Sequence, residues 1–262
     1  MMASLVFAGE IIYMLPYSLR RDFQTTMVAQ MDLIPSDLGS THTGSADSAD
    51  AYGGVWLQFR AVLRTPVVWL NALIILVAYM GFWGTFDISA FAVDAWGRDA
   101  VFGATVSASA VWLRPVAAIG VGLIADRVSA SRAVIVCFGS LIVTFGVFAL
   151  APARTDLLWL LWANTAAISV AVFALRGLYF ALLEECQIPL TITGTAVGVI
   201  SLIGYTPDIF TPLLSGWLLD RYPGHAGHQY FFTILAGAAV VGLAAAIAIH
   251  RLASGCRRQP TL

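Results

Sequence analysis

The stretch Gly122-Leu-Ile-Ala-Asp126-Arg127-Val-Ser-Ala-Ser-Arg132 decides how this chain folds. It places a tight group of charges between two long apolar runs, a pattern typical of a short loop that joins two membrane-spanning helices. Gly122 lies one turn before the Asp126-Arg127 pair, so a neighbouring helix can approach closely where the charges leave the lipid. The other segments are assigned relative to this loop.

The composition indicates that lipid is the solvent for most of the chain. Of 262 residues, 59% are hydrophobic and only 11% are charged, and the mean hydropathy is +0.83. Soluble domains carry about 25% charged residues. The formal net charge of -1 and the lack of a basic patch give no reason to expect nucleic-acid binding. The sequence therefore predicts an all-α membrane protein whose surroundings are the lipid bilayer.

Six strong apolar segments follow residue 65, and each is long enough to cross a hydrocarbon core of about 30 Å. They run from Val67 to Phe91, Val101 to Ile124, Ala133 to Ala151, Leu157 to Leu183, Thr191 to Leu219 and Tyr230 to Ile249. These runs exceed the roughly ten residues of a membrane β-strand and do not alternate, so strands are not expected. The prediction is a six-helix transmembrane bundle over residues 65–258.

The distribution of arginine predicts the orientation of this bundle. All 14 basic residues are arginine, and nine of them fall on one side of the predicted spans, three on the other and two inside. Because cytoplasmic loops carry the excess of basic residues, the side with nine is predicted to be cytoplasmic. This assigns the linker before the bundle, the Asp126-Arg127 loop and the C-terminus to the cytoplasm of a multi-pass inner-membrane protein.

Two further regions precede the predicted bundle. Residues 1–31 contain a short apolar stretch from Ala3 to Leu19, which at about 17 residues is marginal for a span. Whether it crosses the membrane or lies on its surface stays open. Residues 32–64 begin with a run rich in Ser, Asp and Gly that has little to bury, and they are predicted to form a polar flexible linker.

A short pattern repeats within the bundle. Gly216-Trp-Leu-Leu-Asp220-Arg221 has the same spacing of Gly, Asp and Arg as the stretch from Gly122 to Arg127. The first pattern ends the second predicted span on the cytoplasmic side, and the other ends the fifth on the outer side. Repeats of opposite topology are typical of transporters, and a short pattern of this kind can also recur by chance.

The loop resembles the motif of the major facilitator superfamily, Gly-x-x-x-Asp-Arg/Lys-x-Gly-x-Arg-Arg/Lys, which joins the second and third helices of each six-helix half. The matching residues are Gly122, Asp126, Arg127 and Arg132. Ser129 and Ser131 stand where glycine and arginine are usual. A closer resemblance, through the stretches 176–181, 194–198 and 204–210, is to the organophosphate-antiporter-like and YihN-like bacterial branch.

The resemblance implies a fold and an activity. Residues 65–258 correspond to the second half of a twelve-helix transporter, and residues 1–31 are similar to a remnant of its first helix. The chain is therefore expected to be an internally deleted secondary transporter of a small polar or anionic solute, inactive alone. The alternative is a non-transporting membrane remnant, or a partner subunit that pairs with a separate N-terminal half or with itself.

Charged residues inside the spans are the candidate solute-binding groups. A charge at the centre of a membrane helix costs about 2.5 to 3.5 kcal/mol on insertion scales, so it usually faces a cavity or a partner. Arg114 and Arg176 can bind an anion through their forked donors, or act as clamps between helices. For Arg176 a clamp to Glu184 or Glu185 is favoured, and for Arg114 both interpretations stay open. Asp87 lies nearer the outer side of its span.

Three further residues complete the candidate set. Arg20 is similar to an arginine of the family's first helix that can face the solute. Its partner in the seventh helix would fall near Phe82, where no arginine occurs, so a phosphate ester is not the expected substrate. Tyr179 is a candidate from the stretch that resembles the YihN-like branch. Asp208 follows Pro207 in an interrupted helix, which favours either a binding site or a packing kink.

The loop residues Gly122, Asp126, Arg127 and Arg132 are candidates for a gate. Asp126 can meet a helix N-terminus and Arg127 a carboxylate, which would close the cytoplasmic side when the transporter faces out. The same charges also serve as a positive-inside signal without any gating role, and this alternative stays open.

Nothing in the sequence indicates an enzyme. It contains no nucleophile triad, no glycine-rich phosphate loop and no metal-ligand spacing, so no metal or other cofactor is expected. The cysteines Cys137, Cys186 and Cys256 are interpreted as structural. Transport would be driven by proton or anion coupling.

Overall fold

A computed structural model describes residues 48–125, 129–151, 157–186 and 188–256 of the chain. Within these ranges, the side chains of residues 48–55, 116, 118–125, 190, 191, 255 and 256 lie outside the description. The described residues form helices joined by short turns, and no strand occurs among them. The prediction of an all-α membrane protein is confirmed.

Nine helices occur in the described residues. They are α1 (Ser48–Arg64), α2 (Pro66–Trp96), α3 (Ala100–Ala125), α4 (Ala130–Leu150), α5 (Leu158–Leu178), α6 (Ala181–Glu185), α7 (Leu190–Gly204), α8 (Pro207–Arg221) and α9 (His225–Cys256). Thr65 separates α1 from α2, which begins at Pro66, and the fixed ring of proline suits the first position of a helix. Gly97 ends α2 with a positive φ of 61°, which glycine adopts at little cost.

Five segments among the described residues are long and apolar enough to cross a membrane. They are Pro66–Trp96, Ala130–Leu150, Leu158–Leu178, Ile192–Arg221 and His225–Ser254. The remaining predicted span, Val101 to Ile124, is also a helix, α3, but is not one of these five. Many side chains in its second half lie outside the description. Five of the six predicted spans are thus candidate membrane spans among the described residues, and the sixth is a helix.

The fifth predicted span is one segment made of two helices. α7 ends at Gly204 and α8 begins at Pro207. Proline has no N–H to continue the helix, so Pro207 cannot donate to the carbonyl of Ile203. The Thr206 hydroxyl donates to that carbonyl instead, at 2.7 Å. The interruption expected at Pro207 is confirmed, whereas α7 runs through Gly198, another expected interruption, without a break.

The linker prediction needs one correction. The sequence predicts a polar flexible linker over residues 32–64, whereas the described part of that range forms the helix α1, Ser48–Arg64. This part contains Trp56, Leu57 and Phe59 among its apolar residues, and the Trp56 and Phe59 rings stack at 5.8 Å.

The chain divides into two compact units, Met1–Ala61 and Val62–Leu262, and the following description concerns the second. Residues 1–31, the predicted first-helix remnant, lie outside the described residues.

Helix α2 lies at the centre of the second unit. It packs against α3, α5, α7, α8 and α9. Towards its C-terminal end, Phe91 packs on Phe148 of α4 and Phe232 of α9, with ring centres 5.0 and 5.2 Å apart. All three rings are fully buried. Gly84 of α2 permits this packing, because a Cβ atom there would lie 2.5 Å from Leu235 of α9.

Polar contacts join the helices at both ends of the unit. Where α4 begins, the Ser131 N–H and hydroxyl donate to the Glu185 carboxylate at 2.8 and 2.9 Å. Nδ1 of His250 in α9 lies 2.8 Å from the same hydroxyl. At the opposite end, the His228 ring lies 3.0 Å from the Asp94 carboxylate. The first cluster also provides an acceptor for an N-terminal N–H of α4, which has no partner within its own helix.

Glu185→Gln should destabilise the protein, because an amide has only one acceptor oxygen for the two Ser131 donors. Leaving a buried donor unsatisfied costs about 1–3 kcal/mol. The melting temperature of the purified chain in detergent should fall by several degrees, since about 1 kcal/mol corresponds to about 2–4 °C at this chain length. Glu184→Gln is the matched control, because Glu184 is exposed. Equal melting temperatures for the two variants would contradict the assigned role of Glu185.

Candidate solute site

One face of α2 carries a stripe of aromatic residues that ends in a carboxylate. Its members follow the spacing i, i+3, i+4, i+7 and i+8, which places them on one side of a helix. They are Tyr79, Phe82, Trp83, Phe86 and Asp87. Within the stripe, Phe82 packs edge-on against Phe86, with ring centres 5.2 Å apart. We call this set the aromatic stripe.

The two arginines within the spans both contact Phe82 of the aromatic stripe. The guanidinium carbon of Arg176 (α5) lies 4.6 Å from the centre of the Phe82 ring and 5.5 Å from that of Tyr79. That of Arg114 (α3) lies 5.6 Å from the Phe82 ring and 4.8 Å from the ring of Phe173 in α5. A cation over an aromatic face gains about 0.5–2 kcal/mol, more when water is excluded. Both arginines are half-buried.

Helix α8 meets the stripe with one carboxylate and one hydroxyl group. The Trp83 indole N–H donates to Oδ1 of Asp208 at 2.7 Å, and the Ser215 hydroxyl donates to Oδ1 of Asp87. Two hydrogen bonds thus link α2 to α8, one donated by each helix. The arginines and Asp208 reach the stripe from different helices, because the arginines lie on α3 and α5 while Asp208 lies on α8.

Two tyrosines close the site where α7 meets α8. The hydroxyls of Tyr179 and Tyr205 lie 3.3 Å apart, and the Tyr205 ring packs edge-on against Tyr79 at 4.8 Å. Tyr179 is buried and follows the last residue of α5. Gly204 allows this approach, because a Cβ atom there would lie 2.5 Å from Cγ2 of Ile75 in α2. The broken helix therefore packs directly on α2 beside the site.

A small cavity adjoins Arg114. Its volume is about 130 Å³, and α2, α3 and α5 line it. Arg114, Ser107 and Thr85 are its polar lining residues, while Phe86 and Phe173 provide aromatic walls. A space of this size with polar groups can hold several water molecules or a small solute group. Among the described residues, no three His, Cys, Asp or Glu side chains are placed to hold a metal ion.

The structure brings five of the predicted solute-binding residues to one side of α2. Asp87 belongs to the aromatic stripe, and the other four, Arg114, Arg176, Tyr179 and Asp208, contact it directly or through Tyr205. The ring contacts of Arg176 are with α2, and Glu185 accepts hydrogen bonds from Ser131 of α4. The clamp from Arg176 to Glu184 or Glu185 stays a prediction.

The predicted gate residues are only partly described. Gly122 lies in the last turns of α3, and Arg132 is exposed in the first turn of α4. Asp126, Arg127 and the candidate binding residue Arg20 lie outside the described residues. The gate therefore stays a prediction.

Sequence reasoning missed the aromatic stripe and Tyr205. From the sequence, Phe82 is only the position near which an arginine is lacking, and Trp83 carries no assigned role. The helical spacing of the stripe was visible in the sequence, and it ends at Asp87, a charge inside a predicted span. No sequence pattern indicates Tyr205, because its contact with Tyr79 of α2 depends on the tertiary packing.

Comparison with known proteins gives two similarities. The chain is 26% identical to the inner membrane protein YihN of Escherichia coli (strain K12) over 205 residues, which cover 77% of this chain and 49% of YihN. It is 40% identical to the inner membrane protein YqcE of the same organism over 72 residues, 27% of this chain and 16% of YqcE. The chain thus spans about half the length of YihN. No family model and no solved structure matches it.

Gly204→Ala should separate α7 from α2. The added methyl group would meet the Ile75 side chain, and overpacking of this kind costs about 1–3 kcal/mol. We expect a lower melting temperature for the purified chain in detergent. Gly198→Ala is the matched control on the same helix, because nothing lies within 4 Å of its Cβ position. A Gly204→Ala variant as stable as Gly198→Ala would show that α7 does not pack on α2 as described.

Proposed function

We propose that the chain forms one wall of a secondary transporter of the major facilitator type, in the inner membrane, for a small polar or anionic solute. The proposal is supported by the similarity to two inner membrane proteins and by the motif from Gly122 to Arg132. In such transporters the solute binds near the middle of the membrane, between two helix bundles that rock about it. The aromatic stripe and its arginines would then face the solute.

The observation that carries this proposal is the meeting of Arg114 and Arg176 on one phenylalanine ring. Basic groups inside a membrane are costly and are kept mainly where they serve a pathway or a partner. Two guanidiniums drawn to one ring form a local positive region that attracts an anion. A guanidinium contacts a ring through its face, whereas it binds a carboxylate through the N–H groups on its edge.

The solute we favour is a monoanion rather than a phosphate ester. The family's phosphate site uses one arginine in the first helix and one in the seventh, and this chain has Phe82 at the second of these positions. A carboxylate matches the bidentate geometry of one guanidinium. Tyr179, Tyr205 and Asp208 add hydroxyl and acceptor groups that suit a hydroxylated carbon skeleton.

The described helices form one bundle, and a transport path of this type runs between two. We propose that this bundle does not transport alone and works together with a second one. Under this proposal the linker, the C-terminus and the loop at Asp126 lie in the cytoplasm, and the chain carries out no enzymatic reaction.

Solute binding can be measured on the purified chain in lipid nanodiscs with three radiolabelled compounds of one carbon skeleton. We expect glycerate to bind more tightly than glycerol, and more tightly than glycerol 3-phosphate. Arg176→Gln and Arg114→Gln should each weaken glycerate binding by about tenfold or more, as expected when a charge-assisted hydrogen bond is lost.

Arg98→Gln is the matched control for these variants. The Arg98 guanidinium also lies over an aromatic ring, that of Phe102 at 5.6 Å, but it lies outside the proposed site. Its substitution should leave glycerate binding unchanged. If glycerol and glycerate bind equally, or if Arg98→Gln weakens binding as much as Arg176→Gln, the proposed site is wrong.

Transport itself is tested by uptake into proteoliposomes. The purified monomeric chain is expected to show no saturable uptake of the three compounds. Saturable, proton-coupled uptake by monomers would overturn the proposed need for a second bundle.

The alternative function is that of a subunit of a split transporter, and the chain matches about half the length of YihN. It predicts that an affinity-tagged chain co-purifies from its native membrane with a second helical membrane protein, and that the pair restores uptake. A chain that purifies alone and binds none of the compounds would instead fit a non-transporting remnant.

A further inference from the structure

An apolar groove opens on the surface of the second unit between α4 and α5. Its volume is about 600 Å³. Small side chains of α5, including Ala167, Ala171 and Ala174, keep it open, and Val136 of α4, 70% exposed, stands at its edge. Both helices are apolar segments long enough to span the membrane. The groove therefore offers a space that lipid chains can enter.

The depth of the groove matches one leaflet of the bilayer. Its lining residues run from Arg132 to Ser140 on α4 and from Ala166 to Leu178 on α5. At 1.5 Å per residue these stretches are roughly 12 and 18 Å long, and half of a hydrocarbon core is about 15 Å. A helix from another membrane protein would need a contact surface across both leaflets. The dimensions favour an acyl chain over a helix.

The charged end of the groove indicates which lipid fits. Arg132 lies in the first turn of α4 and is the only charged residue among those that line the groove. Its side chain is exposed, and the described residues give it no hydrogen bond or ion pair. An arginine at a helix end can reach the membrane surface while its stem lies along apolar side chains. Basic groups between transmembrane helices attract anionic lipid headgroups.

We propose that this groove is a binding site for an anionic phospholipid. One acyl chain lies between α4 and α5, and the phosphate of the headgroup contacts the Arg132 guanidinium. The site lies between helices other than α2 and does not involve the aromatic stripe. The inference therefore does not rest on the proposed transport function.

Native mass spectrometry of the full chain in detergent tests the site, with dioleoyl phosphatidylglycerol and dioleoyl phosphatidylcholine as probes. We expect the wild type to bind phosphatidylglycerol at least about fivefold more tightly than phosphatidylcholine. This is the size of effect expected for one basic group at the membrane surface. Arg132→Gln should reduce this preference to none. Arg251→Gln, which alters another exposed arginine, should keep it.

A second pair of variants tests the groove itself. Val136→Trp should fill the groove and lower the occupancy of both lipids. Val143→Trp should not, although Val143 is 64% exposed on the same helix, because it does not line the groove. Equal affinity for both lipids in the wild type, or a preference that persists in Arg132→Gln, would overturn the proposal. The proposal would also be overturned if the mass spectrum showed a dimer of the wild type that is lost in Val136→Trp, because a second copy of the chain would then occupy the groove.

Discussion

Polar and charged side chains inside a membrane must find partners within the protein, because hydrocarbon offers them none. In this bundle several of these partners lie on α2. Its aromatic stripe receives the guanidiniums of α3 and α5, and its Trp83 and Asp87 form hydrogen bonds with α8. The same helix also supplies Phe91 to the apolar core. The placement of α3, α5 and α8 thus depends on one face of one helix.

The contacts of Arg114 and Arg176 with aromatic rings affect what the site can do. A ring attracts the cation through its face and leaves the sign of the local charge positive. Asp208 and Asp87 lie on the α8 side and are held by Trp83 and Ser215. Stability and anion attraction are therefore compatible in this arrangement.

The helices could be predicted from the sequence because apolar length is a strong signal in membrane proteins. The break at Pro207 could be predicted as well, since the missing N–H is a local property. Two features could not be predicted in this way. The helix α1 lies in a stretch whose polar first part indicates a linker, although its second part is more apolar. The link between Trp83 and Asp208 joins residues 125 positions apart, and such pairs follow from tertiary packing.

The break between α7 and α8 lies beside two residues of the candidate site, Tyr205 and Asp208. The ends of the bundle are held by polar clusters, Ser131 with Glu185 and His250 at one end and His228 with Asp94 at the other. A helix interrupted beside a proline can bend at that point without breaking further hydrogen bonds. Tyr205 lies at the break and packs on Tyr79, and Asp208 follows within one turn. A bend of α8 would therefore move the Asp208 carboxylate relative to the arginines.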